Sequence, residues 1–204
     1  MSQQNSQTIA TYDKSVDTYV ESDMTRSRAG FYNDWVDDVL RDVPKSAQIL
    51  EIGTAQGRDA RYIGSKGYTV QTSDVSDGFL AYLKQHGFAP IKLNIIETVP
   101  AGEWDVVYAS AVFLHFTNDD FLQALKNIHQ ALAPGGKLAF TLIQGEGELT
   151  KDVKYDLPRY FKYYQIDEAE RLLAQVGFKM IDSRSTTFKE KTWLYITVRK
   201  AERI

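Results

Sequence analysis

Short β-branched runs alternate with amphipathic runs along most of this chain. No other feature constrains the fold as much, because it calls for strands separated by helices, an α/β sheet. "QILEI" (Gln48 to Ile52) reads as a first strand, with a helix from about Gly57 to Gly67. "YTVQTSD" (Tyr68 to Asp74) is a second strand, followed by the helix "DGFLAYLKQHG". Ala89 to Asn94 reads as a third strand and Trp104 to Ser110 as a fourth. The next helix carries Phe121, Leu122, Leu125, Ile128 and Leu132 on one face and stops at Pro-Gly-Gly, before a fifth strand from Lys137 to Ile143. Asp167 opens a later helix, with Glu170 at the capping-box position and Gly177 just past its end. "FKMIDSRS" and "KTWLYITVRK" then close the chain. The loop joining them is too short for a crossover helix, so these two strands are expected to pair antiparallel. The architecture is five βα-type units ending in a hairpin.

Two regions read less clearly. Residues 11–28 carry only a weak helical stripe of Tyr12, Val16, Tyr19 and Val20, and residues 1–28 are expected to form an arm, partly disordered or acting as a lid. Residues 29–204 are expected to form a single domain. A stronger stripe of Phe31, Trp35, Val39 and Val43 predicts a helix stopped at Pro44. Residues 144–165 read as irregular, charged and rich in tyrosine.

Composition removes several kinds of chemistry. The 204 residues contain no cysteine, so disulfides, zinc thiolates and cysteine nucleophiles are impossible. The three histidines, His86, His115 and His129, are too scattered to suggest a metal site. Against 24 basic side chains stand 27 acidic ones, which gives no electrostatic reason to expect a nucleic acid or an anionic membrane as partner. No run reaches the roughly 18 apolar residues of a membrane helix. The polar start "MSQQNSQTIA" leads into no apolar secretory core, so a cytoplasmic protein with a frayed beginning is expected.

The chemistry concentrates in "ILEIGTAQGRDARYI" (Ile49 to Ile63). A strand running through a glycine-rich turn into a helix aims backbone N–H groups at a ligand. Gly53 lies 21 residues before Asp74, the spacing expected of a carboxylate that grips a ribose. Against the dinucleotide template G-x-G-x-x-G, the slots are Gly53, Ala55 and Arg58, and an arginine in the third slot prevents close helix–strand packing. Against G-x-G-x-G they are Gly53, Ala55 and Gly57. That turn need not hold a phosphate. It can carry the methionine portion of S-adenosylmethionine, with the ribose hydroxyls on Asp74.

At this point the chain, from about residue 30 onward, resembles the class I S-adenosylmethionine-dependent methyltransferases. "ILEIGTAQGRDARYI" is similar to their cofactor turn, "SDVSDGFL" to the acid closing the second strand, "WDVVYASAVFLHF" to the fourth-strand motif and "ALAPGGKLAFTL" to the helix–turn–strand after it. A small subgroup of mostly unassigned substrate looks closest. It shows Gly-Arg-Asp after the turn (Arg58 and Asp59 here), Leu-His after the fourth strand (Leu114 and His115), a Gly-Glu-Gly-Glu loop (Gly145 to Glu148) and an Arg-aromatic-aromatic segment (Arg159, Tyr160, Phe161). Two positions depart from the family: Ala55 stands in a glycine slot, and Asn94 where an aspartate often meets the adenine amino group.

The resemblance implies a Rossmann-like, doubly wound, seven-stranded and mostly parallel sheet with an antiparallel C-terminal strand. It implies S-adenosyl-L-methionine as cofactor, held by Glu51, Gly53, Thr54, Ala55, Gln56, Gly57, Arg58, Asp74, Val75, Asn94, Ile95, Ser110 and Ala111. His115 is the first candidate for a general base and Glu146 the second. Tyr12, Tyr19, Arg159 and Tyr160 are the candidates to contact the acceptor. A small-molecule acceptor, no metal, and a monomer or homodimer are expected. A methyltransferase acting on a protein or nucleic acid stays open, although the base-methylating Asn-Pro-Pro-Tyr motif is absent after the fourth strand. A cofactor- or partner-binding module with weak catalysis also stays open, motivated by Ala55 and Asn94.

Overall fold

The computed structural model describes residues 1–24, 30–151, 156–188 and 190–201. Two helices open the chain, α1 (Gln3–Lys14) and α2 (Val16–Met24), and α3 (Phe31–Leu40) follows. Then come β1 (Ile49–Ile52), α4 (Arg58–Ser65), β2 (Val70–Asp74), α5 (Asp77–Gln85), β3 (Ile91–Lys92), β4 (Trp104–Ala109), α6 (Asn118–Ala131) and β5 (Leu132–Ile143). A hairpin of β6 (Glu148–Lys151) and β7 (Arg159–Lys162) precedes α7 (Ile166–Val176), β8 (Phe178–Phe188) and β9 (Lys191–Lys200).

Seven strands form one sheet in the order β3-β2-β1-β4-β5-β9-β8. The pairs among β1 to β5 are parallel, while β9 runs antiparallel between β5 and β8. Strand alternation sends neighbouring side chains to opposite faces, and both faces are buried. Ile49, Val106 and Ala139 pack on α3 through Trp35, Val36 and Val39. Leu50, Val107 and Phe140 pack on the other face with Phe121, Leu125 and Ile128 of α6. Strand order reverses between β1 and β4, which opens a crevice at the carboxyl ends of the strands.

Several local expectations are corrected. The chain does not fray at its start, because the Ser2 side chain caps α1 by accepting from Asn5 N–H. The α1 helix is tied down far along the chain: Thr11 Oγ1 donates to Pro158 O (2.6 Å), and Thr8 Oγ1 accepts from Tyr160 N–H (2.9 Å). Residues 25–28 of the expected arm lie outside the described residues. The buried stripe of α3 is Tyr32, Trp35, Val36, Val39 and Leu40; it contains the expected Trp35 and Val39, and Val43 packs against it partly buried, but Phe31 is exposed and Tyr32 takes its place. The third strand shrinks to Ile91–Lys92, since Pro90 supplies no N–H and the chain turns at Asn94, whose carbonyl accepts from Glu97 and Thr98. Helix α7 starts at Ile166 with Gln165 as N-cap and no side-chain cap bond, so the capping box does not form, while Gly177 ends the helix in the left-handed region. Within 144–165, whose residues 152–155 lie outside the described residues, the expected irregular structure gives way to a hairpin: Glu148 to Lys151 pair antiparallel with Lys162 to Arg159.

Gly57 shows what the turn demands. Its φ is +81°, and a Cβ there would meet ring carbons of Phe88 at 2.5 and 2.8 Å. Left-handed strain and overpacking both penalise a side chain at this position. Gly57→Ala is expected to lower stability by about 2–4 kcal/mol in a urea titration. A loss under about 0.5 kcal/mol, within the range of ordinary surface changes, would contradict this account of the turn.

Candidate active site

Strand β1 delivers Glu51 and Gly53 to the crevice, and β2 delivers Asp74. Both acids are withdrawn from water, with Glu51 2% and Asp74 6% exposed. The turn between β1 and α4 is built by three left-handed residues, Gly53 (φ 67°), Ala55 (φ 50°) and Gly57 (φ 81°). Ala55 therefore takes up the backbone shape that glycine would adopt. The turn is fastened to β2 by several hydrogen bonds, and Thr54 N–H donates to Ser73 O (2.9 Å). Ala55 N–H donates to Asp74 Oδ2 (2.9 Å), and Ser73 N–H donates to Thr54 Oγ1 (3.1 Å). The other Asp74 oxygen accepts from Ser76 N–H (2.9 Å). At Gly53 a Cβ would fall 2.6 Å from Val112 Cγ2, so only glycine lets the turn approach the loop after β4.

Above these strand ends lies a cavity of about 580 Å³. Gly53, Ala55, Asp74, Val75, Asn94 and Ile95 line one side, and Ser110, Ala111 and His115 the floor after β4. Tyr12 and Tyr19 close it from the N-terminal helices. Arg159, Phe161 and Tyr163 enter from β7 and its end, and Lys191 and Trp193 from β9. A small recess adjoins it, shared by Glu51, Thr54, Gln56, Arg58 and Asp59. Within the recess Arg58 pairs with Asp59 (2.8 Å), and Asp59 also accepts from the Tyr32 hydroxyl (2.5 Å). Glu51 Oε2 has no hydrogen-bond partner among the described residues.

Electrostatics divide the cavity. Burial, with Asp59 close by, pushes the Glu51 carboxyl well above the usual carboxylate range. Burial raises Asp74 to about 6, although the N–H groups of Ser76 and Ala55 pull it down. His115 moves the other way, to about 3, because burial and the charges of Arg159 and Lys191 disfavour its protonation. Its Nδ1 is 2.7 Å from Tyr160 O, and a carbonyl can only accept, so Nδ1 carries the proton. Nε2 then accepts from the Tyr12 hydroxyl (2.9 Å), whose oxygen in turn accepts from Arg159 Nη1 (3.2 Å).

Not every expected site residue reaches the cavity. Tyr160 points away from it, and its hydroxyl donates to Glu148 (2.5 Å), because alternation along β7 gives the cavity to Arg159 and Phe161. Glu146 is exposed outside the cavity, beside Gln165 (Oε1 to Nε2 3.5 Å). Gly57 lies behind the turn against Phe88. The sequence reading missed Asn5, Thr8, Phe79, Phe161, Tyr163, Lys191 and Trp193 as cavity residues. The period-2 pattern that starts from Arg159, the candidate already named, is the signal that could have found two of them, Phe161 and Tyr163.

The sheet order, the glycine turn and the paired acids at neighbouring strand tips together define the class I S-adenosylmethionine-dependent methyltransferase fold. The chain belongs to the methyltransferase domain family, which matches residues 24–183. No curated protein matches it. One similar solved structure is the 1,6-didemethyltoxoflavin-N1-methyltransferase of Burkholderia thailandensis with bound 1,6-didemethyltoxoflavin and S-adenosylhomocysteine. It is 18% identical, with a TM-score of 0.73 over 97% of this chain and 87% of that one. Magnesium protoporphyrin IX methyltransferase from Synechocystis, with bound S-adenosylhomocysteine, is 11% identical, with a TM-score of 0.75 over 97% of this chain and all of that one (100%). A glycopeptide N-methyltransferase complexed with S-adenosylhomocysteine is 16% identical, with a TM-score of 0.67 over 89% of this chain and 96% of that one. Such identities establish a shared fold. Among the described residues, no helix is long and apolar enough to cross a membrane.

Asp74 yields a pH prediction. Between 3.8 and about 6 the folded protein keeps a proton that the unfolded chain has lost. Its contribution to stability is therefore full below 3.8 and is lost as the pH rises through about 6. The span corresponds to about 3 kcal/mol at most. Measured by urea unfolding, the protein should lose stability relative to Asp74→Asn across that interval. A difference that does not change with pH would refute the assignment.

Proposed function

We propose that this chain moves a methyl group from S-adenosylmethionine to a small-molecule acceptor within the cavity at the strand tips. The observation that carries this reading is the pair of buried acids, Glu51 with an unpartnered oxygen and Asp74 facing the cavity from the neighbouring strand. A buried carboxylate with an orphaned oxygen needs a cation, and the cofactor's ammonium is one. The residues therefore fit the group. Glu51 holds the ammonium end, Asp74 accepts from the ribose hydroxyls with lone pairs left over from its two N–H bonds, and Asn94 meets the adenine edge. Bound there, the cofactor supplies an electrophilic methyl group. The protein's own task is to exclude water and align the acceptor. Tyr12 and Tyr19, on the N-terminal arm, form the lid that does the first.

We assign His115 to positioning rather than proton transfer. An imidazole with a pKa near 3 is far below the operating pH of an efficient base. It fixes the Tyr12 hydroxyl at the cavity wall, and the acceptor brings its own lone pair. A roof made of α1 leaves room for a small acceptor rather than a folded macromolecule. Ala55 already holds the left-handed shape and gives its N–H to Asp74, so its methyl group is no argument for a non-catalytic module.

Calorimetric titration with S-adenosylhomocysteine tests the reading. Saturable binding with a Kd of order 1–100 μM is expected. Glu51→Gln should weaken it by about tenfold or more, as loss of a charge-assisted contact does, without lowering the stability of the unliganded protein, since burial already disfavours the charge that the amide lacks. Absence of binding to the unaltered protein would end this reading.

A further inference from the structure

Asn94 stands in the loop after β3, at the cavity wall with Leu93 and Ile95 on either side. Its amide is held in one orientation. Ile96 N–H donates to Asn94 Oδ1 (3.2 Å), and a backbone N–H can meet only the carbonyl half of that amide. The amino half is therefore the one turned away from the loop backbone, and Nδ2 reaches Met1 Sδ (3.4 Å), 93 positions away in sequence. A thioether sulfur is a weak acceptor, so this contact yields readily to a better one. The carbonyls of the same loop are already engaged. Asn94 O accepts from Glu97 N–H (3.1 Å) and Thr98 N–H (2.9 Å). Ile95 O and Ile96 O accept from Asn127 Nδ2 (2.8 and 3.1 Å), and Gln123 Nε2 donates to Asn127 Oδ1 (3.0 Å). Leu93 N–H fastens the loop to Asp74 O (2.9 Å).

From this loop we infer that Asn94 reads the cofactor's base with a donor: Nδ2 hydrogen-bonds a ring nitrogen of the adenine, and the 6-amino group is left unread. The inference rests on the proposed adenine site and deepens it. An aspartate at this place, as the family often has, meets the adenine amino group with an acceptor. Both residues can give one oxygen to Ile96 N–H, so the turn is the same in either case. What differs is the second atom. A carboxylate presents another acceptor, whereas the amide presents two N–H groups. Set against the 6-amino group, those would place donor against donor. Set against a ring nitrogen, they find a lone pair. The neighbouring side chains, Leu93 and Ile95, are apolar and add no acceptor. A site rejects an analogue strongly only where the missing group leaves a protein group unpaired. Since this loop devotes no acceptor to the 6-amino group, its removal orphans nothing. The chain therefore selects the purine ring and tolerates change at its 6-position.

The test is calorimetric titration of the full chain with S-adenosylhomocysteine, its 6-deamino analogue, and its 1-deaza, 3-deaza and 7-deaza analogues. The parent and the 6-deamino compound should bind within about threefold of each other. One of the three deaza compounds should bind about fivefold or more weakly than the parent, because its C–H leaves the Asn94 donor unpaired. Asn94→Asp keeps an oxygen for Ile96 N–H and makes the second atom an acceptor. This variant should prefer the parent over the 6-deamino compound by about tenfold and should lose the deaza discrimination. A loss of about fivefold or more when the amino group is removed, measured on the unaltered protein, would overturn the inference. So would three deaza compounds that all bind within about twofold of the parent, or an Asn94→Asp protein with unchanged ratios. The ligand series on the unaltered protein decides it even if the variant does not fold. Failure of S-adenosylhomocysteine itself to bind is a separate result, and it would overturn the underlying reading as well.

Discussion

The hydrogen bond from Ala55 N–H to the Asp74 carboxylate is the contact on which the site depends. It ties the turn after β1 to the tip of β2, so two elements far apart in sequence become one rigid surface. It also explains how a carboxylate can be kept almost out of water with no ion pair to it among the described residues. Two backbone N–H groups, from Ala55 and Ser76, stand in for part of its lost hydration. The left-handed residues at 53, 55 and 57 exist to deliver that N–H. Where their backbone bends, Val112 and Phe88 press so closely that a side chain at Gly53 or Gly57 has no room.

Much of this was legible in the residues alone. The order of strands and helices, the antiparallel pair at the end, and the Gly53–Asp74 spacing follow from periodicity and turn chemistry. These are local, and local patterns survive in a sequence. The acceptor end was harder to read. Helix α1 buries Asn5, Thr8 and Thr11, which are polar, so it shows no apolar stripe and looks like a disordered start. Those residues are buried because their polar groups find partners more than a hundred positions away, and no local pattern announces such a partner. Tyr160 was misplaced for a related reason. Without a known strand there, the alternation that hides Tyr160 and presents Arg159 and Phe161 could not be applied. Lys191 sits in a hairpin that serves as sheet edge and cavity wall at once, and only the fold brings it beside Phe161.

The site's electrostatics follow from placing like charges in separate compartments. Acids gather where β1 and β2 end, and Arg58 takes up Asp59 there, so Glu51 and not Asp59 keeps an unpartnered oxygen. Across the cavity, burial and then the charges of Arg159 and Lys191 hold His115 neutral. Between the two lies Tyr12, in edge or tilted contact with Tyr19, Phe79 and His115. The hydroxyl of this phenol is fixed by a neutral imidazole on one side and a guanidinium on the other.

The docking of α1 also has a consequence for biogenesis. Its anchors, Pro158 O and Tyr160 N–H, lie 147 and 152 residues downstream of their partners Thr11 and Thr8. On the ribosome the first helix emerges early and then waits for the last third of the polypeptide before it has a place to settle. Contacts of such sequence separation form late, since the loop they close must be ordered first. The sheet's parallel half can assemble during synthesis, whereas the chamber over it is sealed only after the ribosome has released nearly the whole product.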